Sequence, residues 1–379
     1  MQTVNGKKFS TLAIRAGERR DPTTNAHTTP IYQTATFTFE TAEEMTQAIA
    51  TPLDSFFYSR TANPTTASLE HKLAALEGTE ASLVTSSGMA AVAIAVMISA
   101  KAGEHILVDE DLFVISREFF TQDCPAMGLE VDFVNVRQPE TLAANVKGNT
   151  TAVFTESLTN PNCYLADLTA LRRFADQHGL KLIVDNTFLS PYLLRPAEYG
   201  ADLVVHSATK YISGHGDTVA GVIAGSDADM RRARLKLDSF GQCPSPMNSW
   251  LLLRGVRTLH LRMKQHSENG LALATFLDSH PKVEWVRYAG LESHCQNDLA
   301  KQLLPAGFGG MMAFKVPGGL EEMNRFANAL NMCDRGVSLG DLFTLVYPKP
   351  KNGNLIRVST GCEDADDIIA DFAQALEQV

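Results

Sequence analysis

Short apolar runs, each closed by a polar turn and followed by a longer helical stretch, recur through the first two-thirds of the chain. Residues 81–85, 105–108, 130–134, 151–156, 181–184 and 201–205 are too short for buried helices and read as strands. Between them, 67–77, 90–100 and 168–178 carry helical spacing, and Gly78 supplies a C-terminal stop. Strands alternating with helices predict a mostly parallel sheet covered on both faces. A long helical stretch over 247–276 then leads to a second region, with strands at 283–286 and 311–316 and helices at 324–330 and 365–376. The first 55 or so residues lack periodicity. So long a structureless segment does not suit a compact interior, and it reads as an arm lying on something else.

Polar residues gather where the predicted strands end, which is where ligands collect on parallel sheets. The run at 201–205 opens into His206-Ser207-Ala208-Thr209-Lys210-Tyr211-Ile212-Ser213-Gly214-His215-Gly216-Asp217. A lysine at a strand mouth, beside two hydroxyls and a glycine turn, suits an amine that links to an aldehyde cofactor while the hydroxyls hold a phosphate. A surface lysine beside a loop is the plainer alternative. The strand at 181–184 runs into Asp185. Pyridoxal 5'-phosphate needs a carboxylate against its pyridine nitrogen, although an aspartate at a strand end is often only a cap. Gly88 opens a helix, where free amides and the dipole form a phosphate seat. Phe113 and Asn160 fall at further strand ends.

Five stretches together carry a resemblance. They are Tyr58-Ser59-Arg60 with Asn63-Pro64-Thr65, Ser87-Gly88-Met89, Asp185-Asn186-Thr187, the Lys210 stretch, and Val337-Ser338-Leu339-Gly340-Asp341. In this order they resemble the Cys/Met-metabolism (trans-sulfuration) family of pyridoxal-phosphate enzymes over nearly the whole chain. The resemblance implies an α/β fold of the aspartate aminotransferase-like type, fold type I. An arm over 1–60 would contact a partner subunit, 61–255 would bind the cofactor, and 256–379 would form a smaller C-terminal α/β domain. It implies that Lys210 carries the cofactor and moves protons, and that Asp185 holds the ring nitrogen. Ser207, Thr209, Gly88 and Met89 would bind the phosphate, joined by Tyr58 and Arg60 of a neighbouring subunit. Phe113 would stack on the ring, and Asn160, Ser338 and Arg357 would receive the substrate, the arginine through its carboxylate. A homodimer is then the minimum active unit, and a homotetramer the expected assembly.

Composition narrows the class further. The 379 residues carry 43 acidic and 33 basic side chains, for a net charge of −10, which argues against nucleic acid or an anionic membrane as partner. The six cysteines are scattered without a C-x-x-C pair or a His/Cys ligand pattern, so reduced thiols in a cytoplasmic enzyme are expected and no metal site is. No apolar segment follows Met1–Lys8, and no run reaches membrane-spanning length.

Two departures from the family pattern bear on the reaction. The family commonly has a tyrosine where this chain has Phe113, which keeps the stacking face but cannot donate a proton. Such general-acid help is worth roughly 10²–10⁴ in rate, so Phe113 favours a γ-substituent that leaves unprotonated, as the carboxylate of an acylhomoserine does. An already protonated group such as the oxyguanidine of canavanine also qualifies. Phe113 resembles the succinylhomoserine sulfhydrylase branch, whereas 31–37 and 213–217 resemble methionine γ-lyase. The second departure is the shortened segment 342–353, where the family usually has a longer active-site cover. Tyr347 or Lys349 could supply a replacement contact there, but a solvated loop is equally compatible. The expected activity is γ-elimination from a γ-substituted L-amino acid such as methionine or a homoserine or canavanine derivative. The alternative is γ-replacement, as in an acylhomoserine sulfhydrylase. A cofactor-holding protein with little catalysis is a third reading.

Overall fold

The computed structural model describes residues 6–18 and 20–379; of the N-terminal stretches read above, 1–5 and Arg19 lie outside them. Seven strands form the larger sheet: β1 (Ala81–Thr85), β2 (His105–Asp109), β3 (Glu130–Val134), β4 (Thr150–Glu156), β5 (Lys181–Asp185), β6 (Leu203–Ser207) and β7 (Gly221–Gly225). Their order is β1-β7-β6-β5-β4-β2-β3. The five strands from β3 to β6 run parallel, and β7 lies antiparallel to both β6 and β1. The expected mostly parallel sheet is therefore present, closed at one edge by an antiparallel pair. β6 starts two residues later than its apolar run suggests, so Ser207 ends the strand and the turn begins beyond it.

The helices pack the sheet on both faces. The helix Gly88–Ser99 is apolar all round, as a helix buried on every side must be, and lies with Leu83, Ile106, Phe154 and Ile223 in one core. Leu168–His178 carries a narrower apolar stripe, burying Leu171 and Phe174 in a second core on the other side. The second sheet joins β8 (Trp285–Arg287), β9 (Met311–Lys315), β10 (Asp334–Arg335), β11 (Leu345–Lys349) and β12 (Leu355–Ser359) in the order β10-β11-β12-β9-β8. The aromatic trio Phe314, Phe326 and Phe372 anchors its own core.

Three expectations are corrected and a fourth holds in part. The first 55 residues are not structureless: Phe9–Arg15 and Ala42–Ala50 are helices, the second capped by Thr41. The long helix over 247–276 is two helices, Pro246–Val256 and Leu259–Asp278. Arg257, at the break, pairs with Glu18 from the N-terminal region. In the basic run from Met230 to Lys236, Arg231, Arg232 and Lys236 are exposed as a solvated face requires, while Arg234 turns inward and its Nη2 meets Glu70 Oε2 at 2.6 Å. Finally, 342–353 is not a loop throughout but contains β11, paired along its length with β12.

Candidate active site

The carboxyl ends of β2, β4, β5 and β6 bring acids, hydroxyls and one amine together. Lys210 lies in the turn after β6, and its Nζ donates to Ser338 Oγ at 2.9 Å, from the segment leading into the second sheet. That approach needs small residues on both sides. Gly340 has φ +72°, and a Cβ there would stand 2.7 Å from Tyr211 N; a Cβ on Gly216 would strike the Asp341 carboxylate. Thus the glycine turn after Lys210 and the Val337–Asp341 stretch interlock, which explains why both read as motifs. Buried Arg262 secures the lysine turn by donating to Tyr211 O at 2.7 Å and Gly255 O at 2.9 Å. Burial, and then the charge of Arg357, lower the Lys210 pKa and so favour its free amine.

Asp185 ends β5. Its Oδ1 accepts from Thr187 N at 3.0 Å and Thr187 Oγ1 at 2.6 Å, while Oδ2 takes no hydrogen bond from any described residue. Burial pushes the carboxyl above its ordinary value, against the Thr187 bonds and the nearby His206. Glu156, opposite Asp185 in the ladder, is pushed up further by burial and by the Asp185 charge. The sequence reading missed Glu156. It organises two expected site residues at once, since Oε1 accepts from Phe113 N at 2.7 Å and Oε2 from Asn160 N at 2.9 Å. The signal was available: like Asp185, it is an acid at the carboxyl end of a strand.

Gly88 begins its helix beneath the cap of Ser87, whose Oγ accepts from Ala90 N at 3.1 Å. A Cβ on Gly88 would meet Ser207 Cβ at 2.7 Å, so only glycine permits this contact between helix start and strand end. Met89 follows, with its sulfur 3.7 Å from Ser116 Oγ. Thr209 Oγ1 and Ala220 form a reciprocal pair at 3.1 and 3.2 Å. Beside this turn opens a cleft of about 450 Å³ lined by Ser87, Met89, Ile115, Phe119 and Gln242. The Phe113 ring is partly exposed.

Arg357, 3% exposed, comes from β12. Its Nη2 donates to Val337 O at 2.7 Å and Ser338 O at 2.8 Å, and Nη1 to Asn160 Oδ1 at 3.3 Å. Nε is buried without a partner. Burial lowers its pKa to about 10. Lys210, Ser338, Arg357 and Asn160 are thus linked by contacts, and Glu156 ties Asn160 to Phe113. Tyr58 and Arg60 stand apart from them within one chain. Arg60 Nε pairs with Asp238 at 2.7 Å and its guanidinium lies 5.1 Å from the Tyr58 ring.

The residues present fit pyridoxal phosphate. A half-buried carboxylate with an unmet oxygen suits a pyridinium, an amine of lowered pKa suits a covalent link, and the helix start at Gly88 is crowded yet rich in amide donors. Such a site on a parallel α/β sheet defines an enzyme of the pyridoxal-phosphate, fold type I class. The description "Cys/Met metabolism PLP-dependent enzyme" matches residues 10–377, and the chain belongs to that family. It is 40% identical to the L-methionine gamma-lyase of Porphyromonas gingivalis, over 98% of this chain and 97% of the relative. It is 38% identical to the O-succinylhomoserine sulfhydrylase of Pseudomonas aeruginosa, over 98% and 96%. Among solved structures, the metY protein of Campylobacter jejuni, solved with N'-pyridoxyl-lysine-5'-monophosphate in its chain, superposes with a TM-score of 0.93 at 28% identity, covering 98% of this chain and 99% of that one. Pyridoxal phosphate is the cofactor, and the substrate is a small molecule of the amino-acid class. Among the described residues, no helix is long and apolar enough to cross a membrane.

Proposed function

We propose that this protein eliminates the γ-substituent of an L-amino acid and, with one water consumed in hydrolysing the resulting imine, releases a 2-oxo acid, ammonia and the departing group. The reading rests on one observation: the amine Lys210 Nζ stands against Ser338 beside the Arg357 pocket, while the ring-stacking residue Phe113 has no hydroxyl to donate a proton. Bound there, pyridoxal phosphate supplies the electron sink that acidifies the substrate's carbons. Lys210 then takes the α-proton and carries protons between carbons, with Ser338 Oγ holding its amine in place. Arg357 and Asn160 orient the substrate carboxylate. Asp185 Oδ2 holds the ring nitrogen charged, and Ser207, Thr209 and the amides of Gly88 and Met89 take the phosphate. Tyr58 and Arg60 complete that phosphate site from a neighbouring subunit, which makes a homodimer the active unit within a cytoplasmic homotetramer. Their exposed position in the single chain supports this arrangement.

Likeness to a methionine γ-lyase over almost the full length supports elimination. Phe113 favours γ-groups that leave without a donated proton, namely acyl carboxylates and the protonated oxyguanidine of canavanine. Sulfide-dependent replacement is the second reading, supported by the likeness to a succinylhomoserine sulfhydrylase. Purified enzyme incubated with methionine, acetyl- and succinylhomoserine, cystathionine and canavanine, with and without sulfide, separates them. Elimination predicts 2-oxo acid and ammonia without sulfide; product formed only when sulfide is present rejects it.

A further inference from the structure

The shortened segment after Asp341 builds something of its own beside the carboxylate arginine. In the β11–β12 ladder Tyr347 stands directly opposite Arg357, so both side chains leave the same face of the sheet. Lys349, two residues along, shares that face. Lys349 Nζ rests 4.7 Å from the centre of the Tyr347 ring, and Arg357 Cζ 5.1 Å from the same centre. Two cations therefore share one aromatic ring. Among the described residues, neither makes an ion pair with any carboxylate, and Lys349 makes no side-chain hydrogen bond. The charge of Arg357, after burial, disfavours the protonated form of Lys349. Like charges held together without an acid call for an anion from outside the chain.

Arg357 by itself is poorly equipped to hold that anion. Nη2 is committed to the carbonyls of Val337 and Ser338, and Nη1 reaches Asn160. Nε is buried and partnerless, and Nη1 keeps one N–H beyond the one that reaches Asn160. A carboxylate gripped bidentately needs two convergent donors, and both two-donor edges of the guanidinium include Nη2, which is committed to the Val337 and Ser338 carbonyls. We infer that Lys349, set on the Tyr347 ring, is a second carboxylate-binding residue. It completes with Arg357 Nε the clamp on the α-carboxylate of the substrate. This rests on Arg357 as the carboxylate anchor, and it deepens the functional reading without depending on which γ-substituent leaves.

The test compares holoenzyme carrying Lys349→Met and Lys349→Arg with the wild type. One charge-assisted hydrogen bond is worth about 1.5–3 kcal/mol, so K349M is expected to raise KM roughly 10- to 100-fold for every free-acid substrate while kcat stays within about threefold. K349R is expected to recover most of the loss. Binding of L-norleucine, read from the change in the cofactor's visible absorption, should weaken in the same ratio, whereas norleucine methyl ester should bind both proteins alike. Norleucine has no γ-group to eliminate, so this arm stands even if no substrate is turned over. Unchanged norleucine binding in K349M would overturn the inference. So would a defect confined to succinylhomoserine, which would assign Lys349 to the acyl carboxylate, or an equal loss with the methyl ester.

Discussion

Lys210 Nζ and Ser338 Oγ, 128 positions apart in the chain, meet at 2.9 Å. The bond joins the turn after β6 to the segment that also supplies two carbonyls to Arg357. The amine and the Arg357 guanidinium are thereby held in one geometry. Replacing Ser338 with alanine removes the partner that fixes the amine. A neutral hydrogen bond contributes about 0.5–1.5 kcal/mol, so kcat is expected to fall up to about tenfold while the cofactor stays bound. Steady-state kinetics alongside the visible spectrum check both halves.

Phe113 keeps an aromatic face at the strand end but no hydroxyl. Phe113→Tyr is expected to raise kcat for methionine by about tenfold or more, against the roughly 10²–10⁴ that a fully placed acid provides. Acetylhomoserine, whose carboxylate leaves unaided, should change little. The ratio of the two rates is the readout; equal changes would remove leaving-group protonation from the account.

The contact of Gly88 with Ser207 leaves no room for a methyl group. Gly88→Ala must push the helix start away from the strand end, at a typical overpacking cost of about 1–3 kcal/mol. The predicted result is a weakening of cofactor affinity by about tenfold or more, measured by titrating apoenzyme and following absorbance, with the far-ultraviolet spectrum unchanged.

Asp109 ends β2 fully buried, and burial raises its pKa from 3.8 to about 6 despite bonds from Asp111 N and Thr155 and the charge of Arg137. The folded chain then holds a proton that the unfolded chain releases. Stability from this group is complete below pH 3.8 and is lost as pH rises through about 6, up to about 3 kcal/mol in all. Asp109→Asn cannot titrate. Melting temperatures across this window should fall with pH in the wild type relative to the variant; parallel curves would contradict the assignment.

The parts of this molecule that read clearly from the sequence are those governed by local pattern. The strand at 130–134 and the helices at 168–178 and 365–376 match residue for residue because their apolar spacing and polar ends coincide. Long-range contacts decided the rest. The helix Phe9–Arg15 buries only Leu12 and Ala13 and leaves little periodic trace. β11 contains Pro348 and is followed by Pro350, so it looks like a loop until β12 is known to lie beside it. Pro348 keeps its register there opposite Ile356. The site shows the same division. Lys210 and Asp185 stood out as polar residues at strand mouths; Glu156 sits at a strand mouth too, but its bonds to Phe113 N and Asn160 N emerge only in the fold, as does the place of Lys349 on the Tyr347 ring.

The most direct test is chemical. Holoenzyme reduced with borohydride, digested and mapped by mass spectrometry should carry the pyridoxyl group on Lys210, and Lys210→Ala should lose both the label and turnover. A stable label on another side chain, or a Lys210→Ala protein that stays yellow and reducible, would contradict the account.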